Sequence, residues 1–395
     1  MITPDLLVTD ELPYLTTFSP KDKGWNFKKV QSLAIADLFK LVEHNNYEAR
    51  IRGCAGYLSF ALVPDESTGV VTFRLRDARF CRVRLCSTCQ WRKQIMWLAR
   101  VSKATPRIIA DHPKHRFIFL TLTVRNCPLT ELRSTLADMS KAWNRLAARK
   151  QFIASGWLRN VEITRADNDY AHPHYHAVLM VPTTYFGGNH YLSQNKWTAL
   201  WRESMRLDYD PIVHVRVIKQ NHTHSPQTSE QTDVSYAHKP TDLLEGENNH
   251  THTVSANITD PVSQIPTDLS KSLFYCLKYQ LKSDSLLDNT HDSDSNSKWL
   301  AEYHRQIHKT RAIALGGIFR EYMSEDDPEE LIHVEGEDVV DADFQEDKVW
   351  TMWHDDVKQY ALFEPDSRDF SVCLEVERRA AAFDALKSLN LAGKS

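Results

Sequence analysis

The sequence predicts an α+β fold: a central antiparallel β-sheet flanked by helices, with an appended cysteine-rich lobe. Apolar and polar residues alternate along several segments, as in half-buried strands, and apolar residues recur at helical spacing along others. The alternating segments are residues 115–124, 157–164, 172–181 and 212–218. The helical segments are residues 132–149, 273–282, 299–322 with a break at Gly316 and Gly317, and a helix capped by Ser193.

The second and third strands are predicted to pair as an antiparallel hairpin, because only the polar segment 165–171 separates them. In the third strand, His174 and His176 share one face while Tyr175 points to the other. Two imidazoles at this spacing have the geometry that two ligands of one metal ion need. Two further His-x-His pairs lie in polar stretches without alternation and are interpreted as loops: His222 with His224, and His250 with His252.

Glu162 lies in the strand that is predicted to pair with the histidine strand. A register that brings this carboxylate opposite the two imidazoles would complete a three-ligand site with open positions for water and substrate. Such mixed ligation suits Mg²⁺ or Mn²⁺ acting on a phosphate group. The register decides between this role and an ordinary surface position.

Length and composition favour a globular protein of one large domain or two ordinary ones. Of 395 residues, 42% are hydrophobic and 25% are charged. The net charge of −4 conceals an asymmetry, because residues 71–120 carry twelve Lys or Arg against two acids, and residues 321–350 carry thirteen acids against Lys348. The basic block suggests a polyanionic partner, and the acidic block suggests a solvated tail or a segment that competes for the basic site.

The N-terminus shows no signal peptide, and no apolar run approaches the length of a membrane span. The seven cysteines fit a reducing cytoplasm with a metal site better than a disulfide scaffold. We therefore expect a cytoplasmic protein that has no membrane partner. No P-loop of the Gly-x₄-Gly-Lys-Ser/Thr type occurs, so we expect no helicase motor within the sequence.

Four clustered cysteines predict a second metal site. Thiolates of Cys54, Cys81, Cys86 and Cys89 could bind a structural Zn²⁺ tetrahedrally, the alternative being buried, reduced cysteines. Basic residues surround this cluster, and a zinc-stabilised lobe is predicted to bind DNA phosphates through them. The predicted DNA-binding residues are Arg82, Arg84, Arg92 and Lys93.

The chain is predicted to have four parts. Residues 1–45 form an N-terminal lead-in, residues 46–110 the basic cysteine-rich lobe, and residues 111–322 the main α+β domain with a flexible insertion at 220–267. Residues 323–395 form an acidic C-terminal segment that closes with an alanine-rich helix at 375–389.

The predicted helix 273–282 presents two different faces. Tyr275, Tyr279 and Lys282 fall within roughly 60° of one another, while the apolar residues form a separate stripe for packing. A phenol, with a pKa of about 10, needs activation at neutral pH, which a nearby metal ion and a lysine could provide. The alternative is that both tyrosines are packing residues.

Together these motifs resemble the HUH endonucleases and, within them, the replication initiators of rolling-circle plasmids. The resemblance rests on the strand Leu120-Thr121-Leu122-Thr123, the His174-Tyr175-His176 strand, the later Tyr-x-x-Lys helix and the upstream segment 80–92, and it covers roughly residues 50–320. It implies that residues 111–322 form a nuclease domain that nicks origin DNA through a 5′-phosphotyrosine, leaving a free 3′-OH primer. It also implies a host helicase and polymerase as partners.

By this resemblance, His174 and His176 match the HUH pair, and Tyr279 with Lys282 matches the Tyr-x-x-Lys motif, with Glu162 as third ligand. One departure concerns Tyr275, because many plasmid members carry a glutamate four residues before the nucleophile. The pattern here is similar to initiators that use two tyrosines in turn. Alternative functions are an HUH transposase, a relaxase using His172 as a third histidine, or a zinc-dependent DNA-binding regulator without catalysis.

Overall fold

A computed structural model describes residues 14–64, 71–219, 265–277, 292–323 and 348–363. Strands in these ranges form two antiparallel sheets. The strands are β1 (Tyr57–Pro64), β2 (Val71–Ala78), β3 (His115–Thr123), β4 (Gly156–Arg165), β5 (Ala171–Pro182), β6 (Val213–Ile218), β7 (Ile313–Gly317), β8 (Lys348–His354) and β9 (Gln359–Phe363).

The described helices pack around both sheets, and several of them cover the two faces of the larger one. They are α1 (Leu15–Phe18), α2 (Lys23–Leu41), α3 (Asn45–Arg52), α4 (Ser87–Asp111), α5 (Leu132–Ala147), α6 (Gln194–Met205), α7 (Thr267–Cys276), α8 (Ser293–Ile307) and α9 (Ile318–Met323). The Ser193 hydroxyl caps α6 by accepting a hydrogen bond from the Lys196 backbone N–H, as predicted. Within the described ranges, no helix combines the length and the apolar character that a membrane crossing requires.

The larger sheet has the strand order β6-β3-β5-β4-β7, with every neighbouring pair antiparallel. The predicted α+β class and the β4–β5 hairpin are therefore confirmed. The hairpin closes through a short turn in which Asn168 and Asp169 adopt positive φ, a conformation that Asn and Asp tolerate well.

The two faces of this sheet bury different cores. On one face, Tyr175 and Leu179 of β5 pack with Trp143 of α5, Trp201 of α6 and Tyr303 of α8. On the other face, residues of β3, β4 and β5 pack with α4, α7 and α9. Because side chains alternate along a strand, His174 and His176 belong to the second face, on which α7 lies.

Residues 299–322 differ from the predicted helix. The α8 helix ends at Ile307, the chain extends as β7 along the edge of the sheet, and α9 begins at Ile318. The predicted break at Gly316 and Gly317 coincides with the end of β7, but the prediction of helix between Ile307 and these glycines is wrong. Gly317 has a φ of +53°, which turns the chain from strand into helix.

The smaller sheet joins distant parts of the sequence in the order β2-β1-β8-β9. Strands β8 and β9 come from the segment predicted as an acidic tail, and β8 pairs with β1 of the cysteine-rich lobe. The buried Tyr360 hydroxyl of β9 donates a hydrogen bond to the Ala55 carbonyl. Most of the acidic block, the predicted helix 375–389, and the His222–His224 and His250–His252 pairs lie outside the described residues.

Candidate metal centre and cysteine cluster

The β4–β5 register brings three predicted metal ligands together. Glu162 lies directly opposite His174 in the ladder, and its Oε2 atom is 3.3 Å from His174 Nε2 and 2.9 Å from His176 Nε2. Ligands that are adjacent in an octahedral shell of about 2.1 Å radius lie about 3.0 Å apart. The three donor atoms therefore fit one divalent ion, and three donors leave positions for water and substrate.

The site is largely shielded from solvent, with Glu162 13% exposed and His176 6% exposed at their side chains. Burial raises the pKa of Glu162, but hydrogen bonds from His174 and His176 outweigh burial and hold that pKa well below its usual range. Glu162 is thus a carboxylate at neutral pH, the form in which it can bind a metal ion.

Neighbouring groups orient the two imidazoles. His176 Nδ1 lies 3.2 Å from the Thr121 hydroxyl, which occupies the paired position on β3. His174 Nδ1 lies 3.4 Å from the His172 carbonyl. Such contacts at the far ring nitrogen fix the orientation of metal-binding histidines.

His172 lies beside this cluster but outside it. Its ring centroid is 5.3 Å from that of His174, and its Nδ1 atom lies 2.7 Å from the side-chain oxygen of Asn126. Burial, reinforced by the charge of His174, lowers the pKa of His172, although Glu162 opposes this effect. His172 is therefore placed to support the site rather than to complete a ring of three histidines.

Tyr275, on the last turn of α7, lies against the metal centre. Its ring centroid is 5.0 Å from that of His176 and 5.8 Å from that of Phe119, and the residue is 40% exposed. Burial and the negative charge of Glu162 raise the pKa of Tyr275. The other predicted catalytic residues, Tyr279 and Lys282, lie outside the described part of the chain.

Polar contacts fix α7 at both ends. Asp268, in its first turn, accepts hydrogen bonds from Arg216 of β6 at 2.8 and 2.9 Å and from the Lys219 backbone N–H at 2.8 Å. At the other end, the buried Cys276 thiol donates to the His176 carbonyl, with the sulfur 3.2 Å from the oxygen. These contacts hold Tyr275 in position beside His176.

The four predicted zinc ligands also converge. Each of the thiol sulfurs of Cys54, Cys81, Cys86 and Cys89 lies within 4.8 Å of the others, with Cys54 and Cys81 at 3.5 and 3.7 Å from Cys89. A tetrahedron with 2.3 Å metal–sulfur bonds has edges of about 3.8 Å, so the cluster fits one tetrahedral ion.

The cysteine cluster has a buried cation beside it. Lys29 is 1% exposed, and its ammonium donates to the carbonyls of Arg52 and Cys54 at 2.7 and 2.6 Å. Burial lowers the pKa of Lys29, and the neighbouring thiols oppose this effect. A positive charge at this place can offset the negative charge of a tetrathiolate metal complex.

The four predicted DNA-binding residues lie in different environments. Arg84 is half-buried and donates to the Ile307 and Thr310 carbonyls after α8, at 2.5 and 2.6 Å. Arg92 is 3% exposed and lies over the Trp25 ring, 5.3 Å from its centroid. Arg82 and Lys93 are exposed, so these two are better placed to reach DNA.

Sequence reasoning did not assign several residues that shape the metal centre. The alternation along β3 predicted that its threonines share one face. That Thr121 lies opposite His176 became evident only from the register of the strands. Arg216, Asp268 and Cys276 gave no comparable signal, because their contacts join segments that are distant in sequence.

Comparisons with known proteins identify the family. A family model described as "Replication protein" matches residues 72–361. "Protein rep" of Streptococcus pneumoniae serotype 2 is 36% identical over 206 residues, 51% of this chain and 63% of that protein. The protein of the same name from Lactiplantibacillus plantarum is 31% identical over 61% of this chain and 77% of its own length. The one from Bacillus amyloliquefaciens is 28% identical over 88% of this chain and 96% of its own length.

The chain thus spans less than two thirds of the length of the Streptococcus pneumoniae relative. No solved structure matches the chain. The matched residues include both strands of the metal centre, α7 and three of the four clustered cysteines. The predicted resemblance to replication proteins is confirmed, and the chain belongs to the replication protein family.

Proposed function

We propose that this protein initiates rolling-circle replication of a plasmid in the cytoplasm by nicking and religating origin DNA. The supporting observation is the cluster of Glu162, His174 and His176 with a tyrosine-bearing helix packed against it. The three side chains would hold Mg²⁺ or Mn²⁺, which when bound would polarise the scissile phosphate. A DNA strand would reach this centre from the side on which Tyr275 is exposed.

In the proposed reaction, a tyrosine oxygen attacks the phosphorus atom and the bond from phosphorus to the 3′ oxygen breaks. The phenol loses its proton, and the 3′ oxygen leaves as a hydroxyl that primes synthesis. The 5′ phosphate stays on the tyrosine as a phosphodiester until a 3′-OH attacks it and religates the strand. Catalysis then depends mainly on positioning and charge, as in other phosphoryl transfers.

We assign the first attack to Tyr279 and charge compensation to Lys282, on the basis of the Tyr-x-x-Lys motif. We assign a second strand transfer to Tyr275. The position of the Tyr275 ring against His176 supports a direct role at the metal centre. A tyrosine in place of a water-activating glutamate would end a replication round by strand transfer instead of hydrolysis.

We further propose that the cysteine cluster holds a structural Zn²⁺ and that its lobe grips origin DNA. The sulfur spacing supports tetrahedral thiolate ligation. Arg82 and Lys93 would contact phosphates, while Arg84 and Arg92 would hold the lobe in shape from within. Unwinding and synthesis would require a host helicase and a host polymerase.

Incubation with a supercoiled parental plasmid and Mg²⁺ or Mn²⁺ tests the proposal. We expect a nicked circle with covalently bound protein, and no adduct when the metal ion is chelated. The Tyr279→Phe variant should lose the initial adduct, while Tyr275→Phe should form it but fail to complete the second transfer.

If the protein binds origin DNA specifically but does not cleave it in the presence of a metal ion, the proposed nuclease activity is wrong. The alternative, a DNA-binding regulator without catalysis, would then be favoured. An undiminished adduct in Tyr279→Phe would overturn the assignment of the first nucleophile. The Tyr175→Phe variant is a control, because Tyr175 is buried on the opposite face of β5 and should keep both transfers.

A further inference from the structure

A groove runs along α8 on the side of the sheet opposite to the metal centre. Two cavities of about 670 and about 370 Å³ form it, and Lys298 lines both. The larger cavity extends along the helix from Lys298 to His308, about 15 Å at 1.5 Å per residue. The smaller cavity is lined by Asp169 and Asp294 with Lys298 as its one permanent cation, so the part of the groove that suits a polyanion is the larger cavity. A site of this length suits a polymer better than a small molecule.

Positive charge dominates the larger cavity. Its lining has three permanent cations, Arg133, Lys298 and Arg305, against the single carboxylate of Glu302. The Lys298 and Arg305 side chains are 70% and 68% exposed, and each forms an ion pair with an acid on α8. Surface ion pairs are weak, so a polyanion can compete for these cations.

Aromatic rings form the wall between the cations. The Tyr47 ring lies 4.5 Å from the ring of the buried His304 and 6.1 Å from that of the exposed His44. Both His44 and Tyr47 line the cavity. Rings beside a row of cations are the elements with which proteins bind single-stranded nucleic acid, the rings stacking with bases and the cations pairing with phosphates.

We propose that this α8 groove binds single-stranded DNA, as a second site apart from the strand held at the metal centre. The larger cavity, about 15 Å long, would accept roughly four phosphates at the 3.4 Å spacing of stacked bases. The inference rests on the proposed function, since it supplies a track for a displaced strand. A whole helix layer of about 10 Å separates the groove from the sheet and from the nicking chemistry beyond it.

The test compares the Lys298→Gln/Arg305→Gln double variant with the Lys141→Gln/Lys358→Gln double variant as a matched control. All four cations are exposed and ion-paired to an acid three or four residues away, but only the first two line the groove. Binding of a fluorescent single-stranded oligonucleotide of random sequence is measured against salt concentration.

We expect the groove variant to bind about tenfold more weakly. Its slope of log affinity against log salt should be shallower by about 1.4, because each lost phosphate contact accounts for about 0.7 on single strands. The control variant should match the wild-type protein. Equal affinities and slopes for the groove variant and the control would overturn the proposal.

A second pair of variants tests the stacking ring. Tyr47→Leu should weaken binding at least about fivefold, whereas Tyr47→Phe, which keeps the ring, should bind as the wild type does. Thermal unfolding identifies any variant that fails to fold. A duplex that binds as tightly as the single strand, and loses as much affinity in the groove variant, would contradict a single-strand site.

Nicking of the parental plasmid at saturating protein concentration separates this inference from the proposed function. The groove variants should nick to the wild-type extent, because the metal centre is untouched. If the wild-type protein makes no nick, the proposed function fails while the binding comparison still stands. If nicking occurs but the groove variants bind the oligonucleotide normally, only the groove inference fails.

Discussion

Thr121 and His176 lie opposite each other on β3 and β5, with 3.2 Å between the threonine hydroxyl and the Nδ1 atom of the imidazole. The other nitrogen of this imidazole faces Glu162 at 2.9 Å. When Nε2 binds a metal ion, the ring proton stays on Nδ1 and donates to the Thr121 oxygen. The hydroxyl thus selects the tautomer and ring orientation that metal binding needs.

We therefore expect Thr121→Val to weaken divalent metal binding about 10- to 100-fold, the usual effect of losing such a supporting contact. Thr123→Val is the matched control, because its hydroxyl lies two residues along β3 and donates to the Ile212 carbonyl at 2.9 Å. Calorimetric titration with Mn²⁺ measures the change. Equal affinities in the two variants would show that the Thr121 contact does not orient His176.

The Arg216–Asp268 pair is expected to position Tyr275 without affecting metal binding. Arg216→Ala removes the contacts that tie α7 to β6, so α7 should dock less tightly. If the variant loses about 1 kcal/mol of the free energy that docks α7 on β6, the nicking rate should fall by up to about fivefold. The Mn²⁺ affinity should stay constant.

Arg202→Ala provides the comparison for Arg216→Ala. Arg202 forms a 2.8 Å ion pair with Asp210, and its exposure is similar, but it does not touch α7. Nicking rates at saturating metal are measured for both variants, with amide hydrogen exchange in α7 as a structural readout. Unchanged exchange and unchanged rate in Arg216→Ala would exclude a positioning role.

The metal centre could be predicted from the sequence because its three ligands lie on two strands that are neighbours in the sequence. Alternation alone placed His174 and His176 on one face, and a short turn made the partner strand evident. Whether Glu162 joined them depended on a register that one residue of slip would have reversed. The structure supplies that register, and with it the contact of Thr121.

The elements that escaped sequence analysis depend on pairing between distant segments. β7 is a five-residue edge strand with two glycines, and its partner β4 lies about 150 residues earlier. β8 pairs with β1 across almost 300 residues, so its strand character could not be inferred from a neighbouring hairpin partner. The contacts of Arg84 and Arg92 are equally non-local, which is why composition alone suggested that both face DNA.

Loss of one cysteine ligand should release the zinc and destabilise the lobe. Cys86 immediately precedes the first residue of α4 and Cys89 lies in the first turn, so the cluster anchors the helix that reaches the α7 side of the sheet. We expect Cys54→Ser to lose one equivalent of bound zinc and several kcal/mol of unfolding free energy.

Cys127→Ser is the control for Cys54→Ser, since Cys127 is buried but lies outside the cluster. It should keep the zinc and lose less stability. Metal content by mass spectrometry and urea unfolding provide the measurements. Equal zinc content in the Cys54→Ser and Cys127→Ser variants would show that the cluster does not bind the metal ion.

Gly317 is expected to be intolerant of a side chain. A Cβ atom there would lie 2.1 Å from the Ser155 carbonyl oxygen, and its φ of +53° already disfavours other residues. Gly188 has a similar φ of +59°, but nothing lies within 4 Å of its Cβ position. Gly188→Ala should therefore cost about 1 kcal/mol, and Gly317→Ala at least about 3 kcal/mol.

Urea unfolding of these two alanine variants separates backbone strain from steric clash. The difference between them reports the close approach of the β7–α9 corner to Ser155. Equal losses of stability would mean that the corner can shift to accept a methyl group.

Because of His304, the free energy of unfolding should decrease as the pH is lowered. Burial, together with the charges of His308, His44, Arg84 and Arg50, lowers the pKa of His304 to about 4 from its usual 6.5. As the pH falls below 6.5, His304 becomes protonated in the unfolded chain but stays neutral in the folded protein. The stability from neutral His304 is therefore fully present above about pH 6.5 and declines as the pH falls to about 4, by at most about 3 kcal/mol.

The His304→Gln variant cannot take up this proton, so its unfolding free energy should fall less between neutral and acidic pH than that of the wild type. Other acid-sensitive groups, including the cysteine cluster, are common to both proteins, and their contributions cancel in the difference. Urea unfolding at a series of pH values, without DNA, gives this difference directly. Parallel pH profiles would mean that His304 titrates in the folded protein as it does in the unfolded chain, and that neither its burial nor the neighbouring charges lower its pKa.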